Sequence, residues 1–330
     1  MDTPASLLLI DGPTVEALLA DVDLVALMRE ALIAVAAQQA SNYPVVRERV
    51  PDGVFGIKSG VLPARSLLGC KVAGFWPGNR ARRGDAHQAT VLLVDPASGR
   101  PHCLLDGNAI TTARTAAAGA VGLAALAPPR AQRLALFGSG VQARAQAQAA
   151  LAQLPQLQRI DYCTRSGAPE PGFEAALTPA LRDRCTLVHM RDTDAAVAAA
   201  EVVVTATPGG GALFSAAALR PGTHLNCVGT DTRGKRELPP GVLTRARVFV
   251  DDLVQARQLG ELQWAPEVGA TPLGALLAQP DSWTRGAEDI TVFDLTGLAV
   301  QDLVAADAVR AVAEARGRGT RIDWPWQRPA

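Results

Sequence analysis

Gly138-Ser139-Gly140-Val141-Gln142-Ala143 follows the apolar run Leu134–Phe137 directly and leads into an alanine-rich stretch. Between a strand and a helix, the first glycine would permit a sharp turn and the second would let a pyrophosphate reach the backbone. The small Ala143 would let helix and strand pack closely. The helix N-terminus then offers unpaired N–H groups and a positive dipole end to phosphates. Read alone, the pattern fits a plain strand–turn–helix equally well. About 25 residues after Gly140 comes Thr164-Arg165-Ser166, where an NAD site places a carboxylate for the ribose 2′-hydroxyl. Thr, Arg and Ser suit a 2′-phosphate instead, so NADP is expected ahead of NAD; an arginine that only stacks on adenine would leave both usable.

Two further segments end an apolar run in a loop. Thr205-Ala206-Thr207 closes one run and opens into Pro208-Gly209-Gly210-Gly211; Val228-Gly229-Thr230-Asp231 closes the other. Ligands of open parallel sheets sit at such carboxyl ends, so Thr205, Ala206, Thr207, Val228 and Gly229 are candidate cofactor contacts. Asp231 could exchange a proton with a substrate nitrogen, or serve as a turn or capping residue. Lys71 stands between Cys70 and Val72 in an apolar run, and Arg114 lies near a helix start behind Thr111-Thr112. A cation in such a setting needs an anionic partner.

These residues need elements to hold them. Leu7–Ile10 reads as a strand and 15–39 as a helix with apolar residues every three or four positions. Segments 43–50, 54–59, 68–75 and 89–95 read as strands, and 101–105 as the hairpin partner of the last. The first hundred residues therefore predict a helix with an antiparallel sheet. A helix over 110–126 follows, broken at Pro128-Pro129. Strands and helices then alternate through 131–293, which predicts a parallel sheet covered by helices. Segment 290–293 is its last strand, and a helix from near Leu298 to about Arg316 closes the chain.

The 330 residues suffice for two domains, and 48% of them are apolar. Lys+Arg and Asp+Glu both number 32, and no basic stripe suggests a nucleic-acid partner. The four arginines between 310 and 321 read as a solvated helix face. The five cysteines are widely spaced without a C-x-x-C pair, which predicts free thiols, no metal and a reducing cytoplasmic setting. No signal peptide and no uninterrupted apolar run of about 18 residues is seen, so no membrane partner is expected.

Together the segments resemble the ornithine cyclodeaminase/mu-crystallin family over nearly the whole length. The resemblance rests on His87–Leu93, Asp106–Ala117 with Thr111 and Arg114, Gly138–Ala143, Pro221–Asp231 followed by Gly234-Lys235-Arg236-Glu237-Leu238, and Ile290–Asp302. It implies an α/β fold: a Rossmann-type parallel-sheet domain (118–298) inserted in an α+β dimerisation domain (1–117 and 299–330). The antiparallel, barrel-like sheet of the latter joins two subunits in a homodimer. It implies NAD(P)-dependent reduction of a small α-imino acid to the amino acid, or the reverse. Ornithine cyclodeamination with catalytic NAD, and non-catalytic small-ligand binding, are the alternatives. Arg47, Lys71 and Arg114 fall on the family's carboxylate-holding positions, with Lys71 also polarising the imine. Arg47 sits in Arg47-Glu48-Arg49 and reads equally as a solvated strand residue. Asp231 falls on the position of the cyclodeaminases' catalytic aspartate. Thr115, Thr296 and Gly297 join the cofactor contacts.

Two departures stand out. Gly56-Ile57-Lys58-Ser59-Gly60 replaces a common Met-Pro, and Phe293-Asp294-Leu295-Thr296-Gly297 replaces a commoner Asp-Ser-Val/Thr-Gly. With Gly74–Asn79 they resemble the imino-acid reductases and amino-acid dehydrogenases more than the cyclodeaminases. Lys58 would favour a second acidic group on the substrate, as in iminosuccinate, unless strand alternation turns it to solvent.

Overall fold

The computed structural model describes residues 6–82 and 84–323; residues 1–5 and 324–330, which the expected outer domain includes, lie outside the described residues. The chain divides into two compact units, one of residues 1–114 with 298–330 and one of 115–297. Both crossings are single, one within the Asn108–Leu126 helix and one ahead of the Ala299–Ala315 helix.

The discontinuous unit is built on an eight-stranded sheet. Its strands are β1 (Ser6–Ile10), β2 (Ser41–Asn42), β3 (Val46–Val50), β4 (Gly53–Leu62), β5 (Leu67–Phe75), β6 (His87–Val94) and β7 (Pro101–Asp106), with a last strand, Thr320–Asp323, supplied from the C-terminal part. The order is Thr320–Asp323, β1, β7, β6, β5, β4, β2, with β3 also on β4. The pairs from β2 to β7 are antiparallel, as expected, whereas β1 runs parallel to β7. The chain between them passes through two helices and the strands β2–β6, long enough to return β7 parallel to β1.

The expected helix over 15–39 is two, Gly12–Leu19 and Leu24–Ala36. Asp11 caps the first by accepting from Thr14 N at 3.0 Å, and Asp23 caps the second from Ala26 N at 3.0 Å. Each cap contributes about 1 kcal/mol, and the apolar period continuing across Ala20–Asp23 hides the restart. The expected strand over 43–50 is shortened to Val46–Val50, because Pro44 has no N–H for the ladder.

The second unit holds an all-parallel eight-stranded sheet. Its strands are β8 (Arg133–Phe137), β9 (Arg159–Cys163), β10 (Thr186–His189), β11 (Val202–Thr205), β12 (His224–Cys227), β13 (Arg247–Val250), β14 (Ala270–Pro272) and β15 (Thr291–Asp294). The order is β10-β9-β8-β11-β12-β15-β13-β14. Both faces are covered: Leu134, Leu136, Val202 and Val204 enter one core, and Ala135, Phe137, Val203 and Leu225 the other. Continuous apolar strands are what a sheet buried on both faces requires. Strand β15 is last in the chain but interior in the sheet, between β12 and β13. The short β14 and the helices Leu253–Leu259 and Leu273–Ala278 were not anticipated from sequence. The Asn108–Leu126 helix has the length and hydropathy of a membrane span, but most of it is buried within the protein. The carboxyl end of the Ala299–Ala315 helix is laced by ion pairs rather than merely solvated: Arg310 meets Asp307 at 2.7 Å and Arg321 meets Glu314 at 2.7 Å.

Candidate active site

In the discontinuous unit a bare patch of sheet brings charges together. Gly60 and Gly69 are register partners on β4 and β5. A Cβ on Gly60 would lie 3.2 Å from Ala299 Cβ, and one on Gly69 would lie 2.9 Å from Leu303 Cδ2. The C-terminal helix therefore rests on this glycine pair. Two residues further along the same face stand Lys58 and Lys71, also register partners. That packing sets Asp302, in the first turn of the helix, against them.

Lys71 Nζ lies 2.8 Å from Asp302 Oδ1 and 2.8 Å from its Oδ2. It also donates to Thr111 Oγ1 at 3.2 Å. Arg114 Nε donates to Asp302 Oδ1 at 2.9 Å, and its Nη1 donates to Gln301 Oε1 at 3.0 Å. Gln301 Oε1 also accepts from Leu298 N at 3.1 Å, which fixes the helix start. Lys58 is 8% exposed, Lys71 and Arg114 are 4% each, and Asp302 is fully buried. Burial pushes the Asp302 carboxyl upward, but Arg114, Lys71 and Lys58 together hold it below its ordinary value.

The structure thus brings Lys58, Lys71 and Arg114 to one buried carboxylate, and the solvent-facing alternative for Lys58 is overturned. Arg47 sits on β3 opposite Gly56, one row from the lysine pair on the same face. It is half-buried, not a fully solvated strand residue. Convergent ammonium and guanidinium groups of this kind can receive a small anion, with the guanidinium plane suited to a carboxylate. The expected list lacked the counter-ion Asp302, although Asp302 is the lone charge in the apolar run 298–306. A lone charge in an apolar run needs a partner, so Asp302 carries the same signal as Lys71.

In the second unit the glycine loop sits at the carboxyl end of β8. Gly138 has φ +114°, and a Cβ there would lie 2.5 Å from Ala206 O at the end of the neighbouring β11. Gly140 is the N-cap of the Val141–Gln153 helix, and a Cβ on it would meet nothing within 4 Å. The helix N-terminus is therefore open in front. Ser139 is half-buried, Val141 is exposed, and Ala143 is wholly buried against the strand. Gln142 Oε1 is buried without a protein partner. One helical turn on, Gln146 Nε2 donates to Thr115 O at 2.9 Å, so Thr115 is buried in helix packing. At the end of β9, Thr164 Oγ1 donates to Ala168 O at 2.7 Å and closes a turn that leaves Arg165 and Ser166 exposed. The carboxylate within β9, Asp161, is fully buried between Arg133 (2.5 Å) and Arg159 (2.7 Å). Residues 163–169 include no carboxylate. A dinucleotide fits this edge: a tight turn, an open helix N-terminus and an orphaned amide oxygen lie together at the switch point between β8 and β11.

Further along the edge, Asp231 Oδ1 lies 2.6 Å from Lys235 Nζ and accepts from Thr232 Oγ1 at 3.0 Å. Asp231 is thus ion-paired on a loop and caps no helix. Val228 is buried, its N–H donating to Thr205 O at 2.8 Å. Thr205 is wholly buried and its hydroxyl donates to Glu237. Thr296 Oγ1 and Gly297 N donate to Asp251 at 2.8 and 2.6 Å, and Gln255 Nε2 bonds Thr296 Oγ1 at 2.7 Å and Gly297 O at 3.0 Å. Burial pushes the Glu261 carboxyl up to about 7 and raises Glu237 and Asp294, despite hydrogen bonds that oppose the rise. Sequence reasoning assigned no role to Glu237, Asp251 or Glu261.

The model of the ornithine cyclodeaminase/mu-crystallin family matches residues 11–317. The iminosuccinate reductase of Paracoccus denitrificans is 34% identical over 296 residues, which are 87% of this chain and 91% of that protein. Its crystal structure with NAD+ superposes with a TM-score of 0.83, at 32% identity and over 97% of this chain and 100% of that one. An archaeal alanine dehydrogenase, solved as a dimer with bound NAD, gives 0.86 at 27% identity, over 97% and 99%. The L-lysine cyclodeaminase of Streptomyces rapamycinicus is 36% identical over 240 residues, 71% of this chain and 68% of that protein.

Proposed function

The chain belongs to the ornithine cyclodeaminase/mu-crystallin family, and from that premise we propose that it reduces a small α-imino acid to the amino acid, or runs the reverse dehydrogenation, with a nicotinamide dinucleotide. The observation that carries this reading is the convergence of Lys58, Lys71 and Arg114 on Asp302 inside the discontinuous unit. Arg114 and Lys71 receive the substrate carboxylate, with Arg47 one row away, and Lys71 polarises the imine. Holding the substrate in one geometry is the main contribution these side chains make to rate. Asp302 holds both cations in place. Lys58 adds a cation for a second acidic group, which supports a dicarboxylic substrate such as iminosuccinate.

The Gly138–Gln142 loop, the 164–166 tip of β9, residues 206–207 and 228–229, and Thr296-Gly297 would hold the dinucleotide; Thr205, wholly buried with its hydroxyl on Glu237, stands behind that edge and is not a contact. When bound, the dinucleotide supplies the hydride for the imine carbon. Asp231, paired with Lys235, serves the substrate nitrogen with a proton, directly or through water. The exposed Arg165 and Ser166, with no carboxylate beside them, support NADP(H) as well as NAD(H).

A homodimer follows from the same reading. The sheet face opposite Lys71 carries Ile57, Leu68, Val72, Leu92 and Leu104 at alternating positions, with Val72 37% exposed. An apolar sheet face is suited to a second copy of the chain. Free cysteines at all five positions support a reducing, cytoplasmic setting.

The test follows NADPH and NADH absorbance with pyrroline-2-carboxylate, with pyruvate plus ammonia and with oxaloacetate plus ammonia. L-Ornithine with NAD+ is assayed in parallel for proline and ammonia. Cofactor oxidation by an imine is the expected result. Proline and ammonia without net cofactor change would replace the reading with cyclodeamination, and silence throughout would overturn it in favour of ligand binding alone.

A further inference from the structure

Glu237 is fully buried and receives four hydrogen bonds from the ends of two neighbouring strands. Its Oε1 accepts from Thr207 N at 2.7 Å and Thr207 Oγ1 at 2.6 Å. Its Oε2 accepts from Thr205 Oγ1 at 2.8 Å and Gly229 N at 2.9 Å. Thr205 and Thr207 end β11, and Gly229 follows β12. A Cβ on Gly229 would lie 2.4 Å from Glu237 Oε1, so the backbone there is pressed against the carboxyl. Glu237 is itself held, since its N–H donates to Glu261 Oε1 at 2.6 Å, and that oxygen also accepts from Thr230 Oγ1 at 2.5 Å.

The place of this staple in the sheet is specific. The order β10-β9-β8-β11-β12 reverses between β8 and β11, and a dinucleotide laid across such a point puts one nucleotide half on each side. The glycine loop and the β9 tip lie on the adenine side. The strand ends bound by Glu237 lie on the nicotinamide side. The backbone N–H of Thr207 is met by Oε1 and that of Gly229 by Oε2, so each strand end is held by a different oxygen of the same carboxyl.

We propose that Glu237 is the positioning residue for the nicotinamide half of the cofactor, joining the ends of β11 and β12 into one surface without touching the ligand. The inference rests on the dinucleotide reading above. Glutamine at this position keeps the shape but turns an NH2 group toward Thr207 N or Gly229 N, whichever way the amide lies. One strand end is then released.

The experiment compares NADH, which has both halves, with ADP-ribose, which lacks the nicotinamide, by fluorescence and calorimetric titration of the full chain. Glu237→Gln should raise the NADH Kd about 10-fold or more, from loss of a buried acceptor, and leave the ADP-ribose Kd within about 2-fold. Thr205→Val removes one donor and no ligand contact. It should raise the NADH Kd a few-fold, again sparing ADP-ribose, and it reads the same effect if the glutamine variant does not fold. Unchanged NADH affinity in both variants, or parallel losses for the two ligands, would overturn the assignment. Wild-type protein that binds neither ligand would instead overturn the dinucleotide reading itself.

Discussion

Buried charge is handled in opposite ways in the two units. Around Asp302 it is answered by charge: Lys71 and Arg114 at 2.8–2.9 Å, with Lys58 adding its field. Along the carboxyl edge of the parallel sheet, Glu237 and Glu261 are answered by N–H and O–H dipoles. Ion pairing depresses the first carboxyl, while burial raises the others. The difference separates two settings of a buried carboxylate. One is bound by cations, and the other by the backbone and hydroxyl donors of strand ends.

The sharpest break of that contrast is removal of Asp302. Asp302→Ala leaves two buried cations without their carboxylate, and a loss of about 3–5 kcal/mol in denaturant unfolding is expected. A variant of wild-type stability would show that the pairing is not what balances this unit. Next in size is Lys71→Met, expected to lower kcat/KM for the imino acid by about 10²–10³-fold with an unchanged NADH Kd. Cofactor affinity falling in step with turnover would erase the division of labour between the units.

Acidity separates them by sign. The carboxyl of Glu261 rises from an ordinary 4.5 to about 7 in the folded chain. The native state therefore holds a proton that the unfolded state has lost. The stability from this group is complete below pH 4.5 and is lost as pH climbs through about 7, on the order of 3 kcal/mol in all. Asp302 behaves oppositely, contributing fully above its ordinary 3.8 and failing as acid titrates its depressed carboxyl. Burial pulls the His224 imidazole down to about 3, which slopes stability the other way below pH 6.5, so the decline is read as the difference between wild type and Glu261→Gln in chemical denaturation between pH 4.5 and 8. A difference that stays constant over that range would contradict the account of Glu261. The smallest effect expected is at Lys58: Lys58→Met should raise KM about 10-fold for a dicarboxylic imine and little for a monocarboxylic one, in proportion to a single charge-assisted contact. Equal losses for the two would remove Lys58 from specificity.

Much of this was legible in residue order because it depends on local pattern. The glycine loop, the alternation after residue 130 and the buried lysine in an apolar strand each announce themselves within a few positions. What stayed hidden depends on distant partners. The interior place of β15 is set by pairing with β12 and β13, and no local period reports a neighbour. Lys58 could have faced either side of its strand until register set it opposite Lys71. Glu237 reads as one acid in a polar loop, and only the convergence of β11 and β12 reveals its work. The division of the first helix was missed because its apolar period runs on through the break, while Asp23, a plain capping residue type, was readable in hindsight.

The glycine pair beneath the C-terminal helix has a consequence for how the chain matures. Lys71 and Asp302 are 231 positions apart, and Arg114 and Asp302 188 apart. During synthesis Lys58, Lys71 and Arg114, and then the whole parallel-sheet unit, leave the ribosome before the carboxylate of Asp302 does. The continuous unit can fold as it appears, whereas the discontinuous one waits for long-range contacts. Gly60 and Gly69 keep a berth open for that late helix, so the cluster of Lys71, Arg114 and Asp302 forms only in a chain translated past Asp302.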